Sequence, residues 1–290
     1  MLLDRFGGNP LQEEIDALTS PQAKGLPLDD ELFKDDPDRA PLLLELLHSE
    51  PSHQALLESS IRLAQDEAKH VDGPHCVCGW LFSGATLNRL RIALRQRLDV
   101  RYFPSGERIY LRYFDPRVMP RLSRLLVSTA DEVFPPHSSF AQLLGPVQLW
   151  CQLDRDGQLL RHANPTPAGD AIGDHLHFDE QTAMAIDRIE AINLTVRVLA
   201  SNGMPCHQSD DLRIDAQLLV AQKLGSVDVD DQVAYAWRAL RYGAPFTSQI
   251  ALPDLIKQAV TQGMPLDALL DQHTPSHHQI DAPAPAAPAL

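Results

Sequence analysis

Four cysteines in 290 residues are too few for a disulfide framework. Cys76 and Cys78 lie too close in sequence to close a useful loop, and with Cys151 and Cys206 they read as reduced thiols. Aromatic residues are scarce, at 6%, and the abundance of Leu and Ala leans the chain toward helix. No stretch approaches the roughly 18 apolar residues of a membrane span. The first residues, Met1 to Arg5, lack the apolar centre of a secretory signal. Positive charge is the other shortage. With 25 Lys and Arg against 39 Asp and Glu, the net charge is −14. That is the wrong sign for displacing counterions from phosphates, so a nucleic-acid partner is not expected. Docking on anionic lipid is disfavoured on the same ground. No nucleophile elbow and no Gly-rich phosphate loop is present. These shortages predict a cytoplasmic protein with reduced thiols and neither nucleic acid nor membrane as its partner.

What is present is ordinary globular material. The hydrophobic fraction is 44%, enough for a core, and the length fits one large or two modest domains. Residues 1–38 are rich in Pro, Gly and Asp and read as a loosely attached N-terminal extension with a helix at 11–18. Residues 39–155 read as an α/β domain. Its expected strands are 41–47, 76–82, a hairpin of 100–103 with 107–114, and 145–153. Its expected helices are 52–69, 86–98, 120–128 and a short one at 140–144. In the helix at 86–98, Leu87, Leu90, Leu94 and Leu98 form one apolar stripe, with arginines on the other faces. Asp115-Pro116 suits a helix cap followed by the first helical position, although Pro120 would interrupt a helix begun there. Residues 156–178 read as a linker. Residues 179–273 read as a helical lobe, with helices near 179–201, 211–224, 229–242 and 253–262, several ended by Gly. The Pro/Ala-rich tail, 274–290, is expected to be disordered. The fold class is therefore an α/β (α+β) domain with a mixed sheet, followed by an all-helical C-terminal lobe.

Two clusters invite a metal. His175, His177 and Asp179 stand at H-x-H-x-D spacing, the donor set of a metal-dependent hydrolase. The competing reading is a polar loop whose Asp179 caps the next helix, and short matches of this kind recur by chance. His75, Cys76 and Cys78 form the second cluster. It lacks a further ligand pair at zinc-finger spacing, and buried thiols are common core residues. Neither set is complete, so no metal and no cofactor is expected.

The arginines stand out more. Between Arg89 and Arg124 there are ten, against three acids, a local excess of +7 in a chain of −14. Such segregation marks either a docking face for an acidic partner, with Arg89, Arg91, Arg95, Arg112 and Arg117 as its candidates, or internal pairing with the acidic remainder.

Within this region the run Leu111-Arg-Tyr-Phe-Asp-Pro-Arg-Val118, preceded by Trp80-Leu-Phe-Ser and the leucine stripe and followed by Leu143-Leu-Gly-Pro-Val147, resembles the type VI secretion effector chaperone (adaptor) family. The likeness covers about residues 41–155. Its most specific part is Arg112 to Arg117, with Tyr113, Phe114, Asp115 and Pro116 inside it and Gly145-Pro146 beyond. The resemblance implies a non-enzymatic cytoplasmic protein that binds a toxic effector and helps load it onto a VgrG or PAAR-type spike. Two alternatives remain at this point: the metal-dependent hydrolase, and a structural component of the secretion machine.

Overall fold

The computed structural model describes residues 1–18, 25–103, 106, 108–128, 139–167, 176–226, 228–248 and 250–274. It divides into two compact units, 1–186 and 187–290. The first is a sheet region with helices and the second is helical.

The first unit is organised by a six-stranded sheet. Its strands are β1 (Leu2–Leu3), β2 (Leu26–Pro27), β3 (Leu42–Leu43), β4 (Val77–Phe82), β7 (Leu149–Leu153) and β8 (Leu159–Ala163). They run in the order β2-β3-β1-β4-β7-β8, and every neighbouring pair is antiparallel. A smaller sheet has the order β6-β5-β9, from β5 (Asp99–Phe103), β6 (Arg108–Tyr110) and β9 (Leu176–Asp179). There β5 pairs antiparallel with β6 and parallel with β9, which makes the sheet mixed.

The N-terminal segment departs from the expected loose extension. Leu2 and Leu3 are fully buried, and β1 lies between β3 and β4 near the middle of the sheet. A two-residue apolar strand carries no readable period, which is why its role was hidden. A helix, α1 (Gln12–Asp16), buries Ile15 in the same core as Leu3, Leu42 and Trp80. The expected linker at 156–178 is corrected too. Residues 159–163 form β8, hairpinned to β7 across the turn at Asp154–Gly157, and residues 176–179 form β9. β8 bonds to β7 and β9 to β5 along one side of each strand, so neither segment is an unstructured linker.

Helix α2 (Pro51–Glu67) starts with Pro at its first position and buries His53, Leu56, Ser60, Ala64 and Glu67, a spacing of three or four that makes one face. Three of these residues carry polar ties: His53 accepts from the Leu47 amide at 2.9 Å, and Ser60 Oγ accepts from Trp80 Nε1 at 3.0 Å. Glu67 accepts from the amides of Cys76 at 2.7 Å and Val77 at 3.2 Å, at the head of β4. Gly79, within β4, adopts φ +152°, and a Cβ there would lie 2.3 Å from the Trp150 indole nitrogen. The missing side chain lets Trp150 close on the strand and donate to the Cys78 carbonyl at 3.3 Å.

Helix α3 (Leu87–Gln96) follows the expected stripe, with Leu90, Leu94 and Leu98 buried. Helices α4 (Met119–Ser128) and α5 (Phe140–Leu144) complete the unit, and α5 opens with a Ser139/Gln142 capping box. Helix α6 (Glu180–Ser201) spans the division between the units.

The second unit holds α7 (Asp211–Lys223), α8 (Val229–Tyr242), α9 (Ala244–Thr247), α10 (Leu252–Gln262) and α11 (Leu266–Asp271). Its core gathers Ala221, Tyr235, Phe246, Leu255 and Leu269, among others. Arg238 of α8 is 1% exposed and reaches Asp267 and Asp271 on α11. Of the expected tail, 274–290, all but Thr274 lies outside the described residues. No described helix is long and apolar enough to cross a membrane.

Candidate functional site

The segment 111–118 is a compact turn. The expected strand ends at Tyr110, and strand alternation fails beyond it: Tyr113 and Phe114, adjacent in sequence, are both buried. Tyr113 donates from its hydroxyl to the Leu94 carbonyl of α3 at 3.0 Å and meets Trp150 edge-on at 6.0 Å. This one ring ties the turn both to α3 and to the large sheet. Its burial pushes the phenol far above its ordinary pKa.

Asp115 is the hinge of the turn. Its carboxylate accepts from the Arg117 amide at 2.9 Å, from Arg117 Nε at 3.0 Å and from Arg117 Nη2 at 2.8 Å. Its carbonyl accepts from the amides of Val118 and Met119, and the chain passes into α4. Pro116, lacking an N–H, needs no acceptor there. Burial alone would raise the Asp115 carboxyl. The hydrogen bonds and charge of Arg117, with the charge of Arg112, reverse this and hold it below the usual carboxylate range.

Arg112 reaches back to the N-terminal strand. It pairs with Asp4, just after β1, lies 3.8 Å from Asp115, and stacks over Phe6 and Phe114 at 5.6 and 5.8 Å. Desolvation raises the Asp4 carboxyl despite this partner. Glu67, also nearby, is raised by desolvation as well. Three carboxylates and two guanidiniums thus share one largely buried site, and the hexapeptide locks β1 into the sheet. Asp4 and Glu67 were not foreseen. Neither carries a motif, and Asp4 is 108 positions from Arg112.

The Gly145-Pro146 element has a definite task. Gly145 sits at φ +56°, and a Cβ there would come within 2.6 Å of the Arg97 guanidinium. Arg97, buried, donates to the carbonyls of Gln142 at 2.9 Å and Ala93 at 2.6 Å. The Pro146 carbonyl accepts from Ser83 Oγ at 2.7 Å, and the Gly145 carbonyl from Asn164 at 2.9 Å. Arg97 was not singled out from the sequence, and nothing in its neighbours distinguishes it from the surface arginines of α3.

The remaining arginine candidates lie on α3. Arg91 pairs with Asp29 at 2.7 Å, and Arg95 approaches the Asp29 carbonyl at 3.5 Å. Arg89 is half-buried. The basic excess is thus partly met by acids of the N-terminal segment.

Among the described residues no three His, Cys, Asp or Glu side chains form a metal-holding group. His175 lies outside the described residues. His177 is exposed on β9, and Asp179 accepts from the Thr182 amide at 2.7 Å, as a cap of α6. Burial pushes the Cys76 thiol up to about 12 and the Cys78 thiol well above its ordinary value, so neither is a ready thiolate. Desolvation, with the charge of Arg117, pushes the His75 imidazole down to about 4.

No curated protein and no solved structure matches the chain. Residues 1–131, which hold β1, Asp4, the leucine helix and the whole Arg112–Arg117 turn, match the family model described as a domain of unknown function, DUF4123, a family associated with type VI secretion effector adaptors.

Proposed function

We propose that this chain is a non-enzymatic cytoplasmic adaptor that binds one type VI secretion effector and helps load it onto a VgrG or PAAR-type spike. The observation that carries the reading is the family-model match over residues 1–131. The site geometry supports it indirectly. The polar side chains of the Arg112–Arg117 turn are engaged with one another and with Asp4, an arrangement suited to holding a scaffold and unsuited to turning over a substrate. Arg112 and Arg117 therefore belong to the architecture that presents the binding surface. Arg91 and Arg95, on the flank of α3, stay as contributors to an electrostatic approach.

The test is affinity capture of the full chain from its native cytosol at low salt, with bound proteins identified by mass spectrometry. An effector and a spike component should be retained at stoichiometric level. Retention of neither, or retention of core secretion machinery with no effector, overturns the adaptor reading. Folded Arg91→Glu and Arg95→Glu variants that capture as well as wild type would remove the α3 flank from the interface and leave the adaptor intact.

A further inference from the structure

Strand β8 is one end of the six-stranded sheet. Its ladder with β7 is fixed by the amide of Asn164 donating to the Gln148 carbonyl at 2.8 Å and that of Asp154 donating to the Gln158 carbonyl at 2.9 Å. With the pairing Trp150↔His162 and Gln152↔Leu160 between them, the even-numbered residues of β8 bond inward. Leu159, Arg161 and Ala163 therefore turn their N–H and C=O groups outward. All three residues are exposed, Leu159 by 48%. Their side chains share the sheet face of Leu149, Cys151 and Leu153, where Leu149 and Leu153 are only half-buried. Arg161 makes no hydrogen bond or ion pair among the described residues, unlike the arginines of the turn at 112–117.

Among the described residues this row of backbone groups has no partner, and such a row beside an apolar strip is the chemistry that recognises an extended polypeptide. The unpaired cation at the centre of the row narrows the choice. Pairing with a second copy in the fully overlapping register would set two Arg161 side chains opposite one another, and like charges so placed are destabilising. A foreign strand with an acid at that position meets no such penalty. We propose that the outer edge of β8 binds an extended segment of the partner protein, bonded to the backbone of Leu159, Arg161 and Ala163, with an acidic side chain facing Arg161 and apolar ones two residues to either side. The inference deepens the adaptor reading, on which it rests for the partner's identity. It supplies a docking edge that neither the family match nor the arginine cluster contains.

The test uses the full chain and a defined probe, a fluorescent seven-residue peptide with valine second and sixth, glutamate fourth and threonine elsewhere. A matched peptide carries lysine fourth. The glutamate peptide should bind at least tenfold more tightly than the lysine peptide, and Arg161→Glu should reverse that preference. Amide hydrogen exchange at Leu159, Arg161 and Ala163 should slow at least tenfold on saturation. Ala163→Pro removes one outward donor at a position where an edge strand tolerates Pro, and should weaken binding at least tenfold with the circular dichroism spectrum unchanged. Absence of peptide binding, protection elsewhere in the chain, or equal affinity for the two peptides overturns the proposal. The two readings fail separately. Capture of an effector with no protection at β8 keeps the adaptor and removes this edge. Peptide bound at β8 with no effector captured keeps the edge and removes the adaptor.

Discussion

In the first unit the buried member of the ion cluster is a carboxylate, and its arginines are the more exposed partners. The Asp115 side chain is 8% exposed, against 27% for Arg117 and 38% for Arg112. In the second unit the order is inverted: Arg238 is 1% exposed, while Asp267 and Asp271 are 59% and 65% exposed. The difference teaches where each cluster is vulnerable. A buried ion left without its partner is the costly species, and an exposed one re-solvates. Around Asp115 the arginines can turn to water if the acid is lost. Around Arg238 the cation cannot. Among the described residues it would keep the Ala234 carbonyl at 2.8 Å, the Asp267 carbonyl at 3.3 Å and the face of Trp237 at 4.4 Å.

The largest expected effect therefore lies in the helical unit. Replacing both aspartates, Asp267→Ala with Asp271→Ala, should cost about 3–5 kcal/mol in urea unfolding at pH 7, as uncompensated buried ions do. Each single replacement should cost far less, because the other carboxylate remains. Additive single effects in a double-mutant cycle would show that the two acids do not share Arg238.

Next comes Asp115→Asn. It keeps an acceptor for the Arg117 amide but removes the charge, and should cost about 2–3 kcal/mol, the worth of a hydrogen bond to a charged group. The pH dependence gives a second check. The Asp115 carboxyl is lowered in the folded state, so its contribution is complete above the unfolded pKa and is lost as pH falls through the lowered folded value. Asp4 and Glu67 are raised and carry the opposite sign, losing stability as pH rises. Asp115→Asn should accordingly flatten the steepest part of the acid limb, below about pH 4. An unchanged limb would reassign the acid sensitivity to other carboxylates.

A buried base with no ionic partner among the described residues sharpens the contrast. His162 is inward on β8, stacked edge-on with Phe140 at 5.4 Å, with no described acceptor or donor at Nε2. Desolvation pushes it down to about 4 from 6.5. Its neutral form is favoured by folding, so its contribution is complete above 6.5 and falls away as pH drops toward 4. Between pH 7 and pH 5 the loss should be about 2 kcal/mol, absent in His162→Phe. Chemical denaturation at both pH values measures it. Equal losses in wild type and variant would place the pH-sensitive group elsewhere.

These clusters also mark what the sequence could and could not disclose. The leucine stripe of α3 was legible because four residues repeat at helical spacing. The Arg112–Arg117 turn was legible as a dense unit, yet its partner Asp4 was not. Leu2 and Leu3 form too short a run to announce a strand, and their place in the sheet depends on β3 and β4 far along the chain. Tyr113 and Phe114 looked like opposite faces of a strand, and the turn buries both. The hairpin β7–β8 was missed although Asp154 to Gly157 is turn material, because the polar Arg161 and His162 broke the apolar alternation. Those same residues make β8 of interest. The unforeseen helices α9 and α11 are only four and six residues long, below what periodicity resolves.

The smallest expected effect belongs to the surface. Arg91 and Asp29 sit 2.7 Å apart, but Asp29 is 60% exposed and the arginine 24%. Exposed pairs gain little Coulomb energy in water and lose side-chain freedom. Asp29→Ala should change stability by less than about 1 kcal/mol, and by less still in half-molar salt, which screens the pair. Both aspartates, Asp29 and Asp115, hold arginines at the same separation or nearly so, 2.7 and 2.8 Å. Distance is thus held constant between the two variants, and burial is what differs. A loss at Asp29 equal to that at Asp115 would mean that burial does not rank these pairs, and the division into architectural and surface arginines would fail with it.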